Sequence, residues 1–175
     1  MRKSIRMTAI ALAAASCCSF ALAKSPAEWQ QLVQQSQVSL PQALEHATKV
    51  VPGTVLEASL DDGDKAPPRY EVEVINAAGE NVEVWVDAAT GNATLHKNEG
   101  AAKNKDKKRV QEAKTSMAQA IQSAVAHTAG TPVAAELDDH WGKTSYQVDV
   151  LQANGVLMEV KVDAADGKVL RAKPD

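Results

Sequence analysis

Residues Ser39–Asp62, SLPQALEHATKVVPGTVLEASLDD, recur without a gap as Ser116–Asp139, SMAQAIQSAVAHTAGTPVAAELDD, with 10 identities in 24 positions. The match resumes after a one-residue deletion, where Tyr70–Thr94 aligns on Tyr146–Leu170 with 12 identities in 25. Similarity of this extent inside one chain marks a duplicated unit, and a repeat constrains the architecture before any motif does. Each copy is then one supersecondary unit.

The first half of the unit reads as a helix. Ser39 with Gln42, and Ser116 with Gln119, have capping-box spacing, in which side chains satisfy free backbone donors of the first turn. Leu40, Ala43, Leu44, Ala47 and Val51 then recur at helical spacing, as do Met117, Ala120, Ile121, Ala124 and Thr128. Gly53 and Gly130 stand where a glycine with positive φ commonly ends a helix. The second half alternates with period two: Leu56, Ala58, Leu60, then Tyr70, Val72, Val74, then Val82, Val84, Val86, with Tyr146, Val148, Val150 and Met158, Val160, Val162 in the second copy. Glu71, Glu73, Glu83 and Asp87, or Gln147, Asp149, Glu159 and Lys161, fall on the opposite face. Ala77-Ala78-Gly79 and Ala153-Asn154-Gly155 read as hairpin loops, and Asp87–Gly91 and Asp163–Gly167 as turns with glycine in the left-handed position. The predicted class is α+β: two tandem modules, each a helix packed on a three- to four-stranded antiparallel meander, wet on one face.

Outside the repeats, Arg2, Lys3 and Arg6 precede an apolar stretch that ends in Ala21-Leu22-Ala23. This is the pattern of a secretory signal peptide over 1–23; an uncleaved anchor, or a lipoprotein processed at Cys17, are the competing readings. Cys17 and Cys18 both lie in that segment, so a chain starting at Lys24 has no disulfide. Removing the three basic residues from 19 leaves 16 against 22 acids. An acidic chain of this kind is a poor general nucleic-acid binder, which needs a basic face. A first helix is predicted in 24–38, opened by Ser25-Pro26-Ala27-Glu28. Module 1 is expected over 39–98, a lysine-rich linker or short exposed helix over 99–115, and module 2 over 116–175.

The residues describe a scaffold more than a reactive centre. H-E-x-x-H, G-x-S-x-G and phosphate-binding glycine loops are absent from the sequence, and His46, His96, His127 and His140 are scattered through the repeat. Neither a catalytic residue nor a cofactor is expected. The acids Asp61, Asp62 and Asp64, echoed by Asp138 and Asp139, are candidate oxygen ligands for calcium on flexible turns, although aspartates also open turns by bonding nearby backbone. Trp85, by strand parity on the polar face, and Trp141, in the loop after the first strand of the second copy, are candidate partner-binding aromatics; Trp85 could equally pack between the copies or under the first helix.

Tyr70-Glu71-Val72-Glu73-Val74 and Val84-Trp85-Val86-Asp87-Ala88-Ala89-Thr90-Gly91, with their counterparts Tyr146–Val150 and Val160–Gly167, resemble the PepSY domain. PepSY domains occur in propeptides of secreted zinc metallopeptidases and in stand-alone bacterial envelope proteins. The resemblance implies a periplasmic or secreted module that restrains a metallopeptidase or another envelope protein, with no family-wide catalytic residue to carry over. An edge strand, including Val169 and Leu170 near the C-terminus, is the segment expected to meet an extended-peptide site. The alternative expectation is a periplasmic sensor or accessory protein binding a small ligand or a cation such as calcium.

Overall fold

The computed structural model describes residues 24–63, 66–140 and 142–175. The predicted leader, Asp64 and Trp141 lie outside the described residues. Helices α1 (Pro26–Gln35) and α2 (Leu40–Val50) precede strands β1 (Gly53–Asp61), β2 (Arg69–Asn76), β3 (Glu80–Asp87) and β4 (Ala93–Ala101). The order then repeats as α3 (Asn104–Glu112), α4 (Met117–His127), β5 (Thr131–His140), β6 (Lys143–Leu151), β7 (Leu157–Asp163) and β8 (Val169–Pro174). The fold is α+β, as the alternation of apolar residues indicates.

The capping boxes form where their spacing places them. Ser116 N–H donates to Gln119 Oε1 at 2.9 Å while the Ser116 hydroxyl accepts from the Gln119 backbone at 3.3 Å, and Ser39 N–H donates to Gln42 Oε1 at 2.9 Å. Leu40, Ala43, Leu44 and Ala47 of α2, and Met117, Ala120, Ile121 and Ala124 of α4, are all buried. They pack over the valine-rich face formed by Val72, Val74, Val82, Val84 and Val86, and by Val148, Val150, Val160 and Val162. Burial of each such side chain stabilises by about 1.5–3 kcal/mol relative to exposure.

Two further ties repeat in each copy. Ala88 O accepts from Gln37 N–H and Val38 N–H, and Ala164 O accepts from Lys114 N–H and Thr115 N–H. The buried Tyr70 donates its hydroxyl to Val38 O at 2.7 Å, and Tyr146 donates to Thr115 O at 2.7 Å. Both staple the residues just before the main helix onto the sheet. In the turn that follows β3, Asp87 Oδ1 accepts from Ala89 N–H and Thr90 N–H, and Gly91 takes φ +75°. The matching turn after β7 has Asp163 Oδ1 accepting from Ala165 N–H, with Gly167 at φ +73°.

Three features differ from expectation. Gly53 and Gly130 are not left-handed helix stops, since positive φ is found at the other glycines. Gly53 opens β1 and Gly130 immediately precedes β5, and an added Cβ there would collide with the carbonyl oxygens of Ile75 and Leu151. The last strand of module 1 runs to Ala101, so the lysine-rich stretch 99–115 holds the end of β4 and then α3. Third, the two meanders are not separate: they form one eight-stranded sheet in the order β4-β3-β2-β1-β5-β6-β7-β8.

The joint is antiparallel, with Glu57 opposite Glu136, Ala58 opposite Ala135 and Ser59 opposite Ala134. Ala135 lies 77 positions after Ala58, the offset of the repeat, so a pseudo-two-fold axis passes through this pair and the seam is self-complementary, like an isologous dimer interface. The same offset relates α1 to α3. Gln30 of α1 lies against the β6–β7 hairpin at Gly155, and Lys107 of α3, its counterpart, lies against the β2–β3 hairpin at Gly79. Each module thus reaches across to the other's hairpin.

Candidate interaction face

α2 and α4 both pack on the valine face, and strand register sets what the other face of the sheet displays. Following paired residues across all the strands gives one row: Lys97, Glu83, Glu73, Glu57, Glu136, Gln147, Lys161, Arg171. Four carboxylates occupy adjacent strands in its middle. The next row reads Thr94, Trp85, Glu71, Ser59, Ala134, Asp149, Glu159, Lys173. Its small central residue Ala134 borders a depression of about 90 Å³ that Glu57, Glu136, Gln147 and Asp149 also line.

Like charges directly opposite one another destabilise a sheet, and the titration of this face reflects that. Burial against the sheet, then the charges of Glu136, Glu73 and Glu71, pushes Glu57 up to about 7. Its side chain keeps one side open to solvent, so the neighbouring carboxylates are the part of the shift that the register itself guarantees. Glu136 is raised by burial and by Asp138, against the pull of Arg109 and Lys105. Burial and then Asp175 and Glu159 push Asp149 up to about 6, and Asp149 Oδ1 is buried with no hydrogen-bond partner.

Trp85 lies on this face, as strand parity indicates, two strands away from the seam. Its ring is stacked on His96 with centroids 3.4 Å apart, the Arg69 guanidinium carbon is 4.0 Å from its centroid, and Nε1–H donates to Glu83 Oε1 at 2.6 Å. It therefore packs neither between the modules nor under α1. Val169 and Leu170 begin β8, an edge of the sheet, with Val169 turned toward the core and Leu170 exposed. The opposite edge, β4, exposes Leu95, which shares a shallow groove with the exposed Val50 of α2.

Asp61, Asp138 and Asp139 are held by cations of the protein itself. Asp61 ends β1, pairs with Lys24 and Arg69 at 3.6 and 3.5 Å, and accepts from Gly63 N–H at 2.7 Å. Asp62 borders the crevice under α1 with Glu28, Ala66 and Pro68. Asp138 and Asp139 sit on β5 and not on a turn, and both receive the guanidinium of the buried Arg109, with Lys105 3.5 Å from Asp139. Among the described residues, no group of three or more His, Cys, Asp or Glu side chains is placed to hold a metal ion. His46 Nδ1 is 2.6 Å from Gly91 O.

Alternation along the strands exposed the acids of β2, β3, β6 and β7 to sequence reading. Glu57 and Glu136 escaped it because their meeting depends on the pairing of β1 with β5, a contact between repeats. The signal available was the repeat itself: a duplicated half-sheet with a free first strand can close on its own copy about a two-fold axis.

The scaffold defined by these features is a tandem α+β module; among the described residues no helix is long and apolar enough to cross a membrane. Residues 37–95 and 114–173 match the model of the PepSY family, peptidase propeptide and YPEB domain. The chain belongs to the PepSY family, and carries the domain twice. It is 26% identical over 135 residues to the uncharacterized protein YkoJ of Bacillus subtilis (strain 168), a match covering 75% of this chain and 74% of that protein. The crystallised protein CD1622 of Clostridium difficile 630 matches with a TM-score of 0.46 at 19% identity, over 82% of this chain and 97% of the other.

Proposed function

We propose that this chain is a non-catalytic binding module of the cell envelope that restrains a periplasmic or secreted peptidase in trans. The observation that carries the reading is the family match itself, which covers both modules with a domain described by its place in peptidase propeptides. The chemistry agrees. The described histidines with partners are engaged in structural roles, on Gly91 O and on the Trp85 ring, and Asp61, Asp138 and Asp139 are paired with Arg69, Arg109 and Lys105. The leader-like 1–23 segment supports placement outside the cytoplasm. An extended-peptide cleft is best met by β8, a short edge strand with Leu170 outward and Pro174 at its end.

The test is direct titration calorimetry of residues 24–175 against a thermolysin-type zinc metallopeptidase, in its mature form and as the zymogen that still carries its own PepSY propeptide. Saturable binding to the mature enzyme, with none to the zymogen, is expected. Equal binding to both, or to neither, contradicts the reading. Leu170→Asp should weaken the binding; an unchanged affinity would exclude the β8 edge as the point of contact.

A further inference from the structure

We propose that the acidic face of the sheet, centred on the β1–β5 seam, is a docking surface for a lysine- or arginine-bearing segment of a partner protein, one of whose cations seats between Glu57 and Glu136 at the Asp149 depression. This inference rests on the reading that the chain binds a protein, and it names the surface and the partner's chemistry.

Three independent observations point there. The first is charge complementarity. The row across the sheet places Glu83, Glu73, Glu57 and Glu136 on four adjacent strands, with Lys97 at one end and Lys161 and Arg171 at the other. At about 4.8 Å between strands, the four carboxylates span roughly 14 Å. Among the described residues no ion pair of 4 Å or less reaches any of the four; the cations nearby are spent on Glu99, Asp138, Asp139 and Glu159. The partner's pattern is therefore basic in the middle and tolerant of acids at its flanks.

The second is shape. The seam brings the small Ala134 beside the two glutamates, and the depression it lines with Glu57 and Glu136 is open where the charge is greatest. The third is an unmet acceptor: Asp149 lines that depression, and its Oδ1 is buried with no hydrogen-bond partner. A buried acceptor left unpaired is unfavourable unless something supplies a donor. An ammonium or guanidinium group entering the depression supplies both the donor and the charge, and relieves the Glu57–Glu136 repulsion. A purely structural role does not explain the row, because a cross-strand Glu–Glu pair at the β1–β5 seam weakens the joint it sits on.

The experiment measures fluorescence anisotropy of a labelled octapeptide of alternating lysine and threonine with residues 24–175 at pH 8 and low salt. Saturable binding is expected, with none for the alternating glutamate and threonine peptide. The E57Q/E136Q double variant should bind about tenfold more weakly. The matched control E45Q/D166N, which removes the same charge from α2 and from the turn before β8, away from the row, should bind as the unsubstituted chain does. Removing a repulsive pair should leave the face variant folded, and its thermal transition verifies that. Equal loss in both variants identifies mere net-charge attraction and overturns the proposal, as does unchanged binding in E57Q/E136Q. Competition by micromolar calcium chloride would make the face a cation site and overturn it too. Peptidase restraint that survives E57Q/E136Q, alongside unchanged peptide binding, sinks this inference alone; peptide binding lost as expected in a chain that restrains no peptidase sinks only the earlier reading.

Discussion

Arg109 occupies the position in α3 that Leu32 occupies in α1, and both side chains are buried, at 7% and 6% exposure. The duplicated site thus holds an apolar side chain in one copy and a charge in the other. The charge is tolerated because Asp106, Asp138 and Asp139 all receive the guanidinium. Removing one partner of a buried ion pair is strongly destabilising, whereas replacing the whole pair by apolar residues is often close to neutral. Arg109→Ala should therefore lower stability by about 3 kcal/mol in a urea titration, with a smaller loss for Arg109→Leu, which keeps most of the buried packing and leaves Asp138 and Asp139, about one-third exposed, able to turn to water. Equal losses would show that the packing of Arg109, and not its charge, is immaterial to the comparison.

At the scale of elements, β1 begins with, and β5 directly follows, a glycine whose missing Cβ admits the carbonyl of Ile75 or Leu151. Gly53→Ala and Gly130→Ala should each destabilise by about 1–3 kcal/mol, as overpacking does, and a midpoint shift in chemical denaturation reads this out. The helices α2 and α4 and the turns after β2, β3, β6 and β7 were legible in the sequence because each depends on local chemistry: Ser39 and Ser116 caps, Asp87 and Asp163 turn acceptors, alternating valines. Gly53 and Gly130 were misread for the same reason. Local pattern makes a glycine after a helix look like its stop, while the requirement it meets comes from β2 and β6. The extension of β4 to Ala101 was hidden because an exposed edge strand needs no apolar alternation, and Ala93–Ala101 is exposed almost throughout. Helix α3 was veiled by its lysines; only its register with α1, Lys107 on Gln30 and Arg109 on Leu32, gives it away.

For the whole molecule, the decisive contact joins the copies. Three residue pairs at the seam make two half-sheets into one, and they bring carboxylates together that no single repeat would oppose. The consequence is a pH dependence with a definite sign. Glu57 rises from 4.5 to about 7 and Asp149 from 3.8 to about 6 on folding. Between the unfolded and folded values the native protein holds protons that the unfolded chain has released, so stability falls as pH rises through that window. The groups facing Glu57 are Glu136 on β5 and Glu73 and Glu71 on β2; none supplies a compensating cation. The melting temperature should decline between pH 5 and 8 by this route. Glu57→Gln should melt higher than the unsubstituted chain at pH 8 and equally at pH 4, below the window. A variant that melts lower at pH 8 would mean that the Glu57 charge is compensated.

Restraint of a peptidase by the intact tandem is tested most directly by titrating a mature zinc metallopeptidase with residues 24–175, following its cleavage of a peptide substrate, and then resolving the mixture on a gel. Saturable loss of activity, with the added chain recovered whole, is the predicted result. Unchanged activity, or loss of the chain to simple digestion, would contradict it.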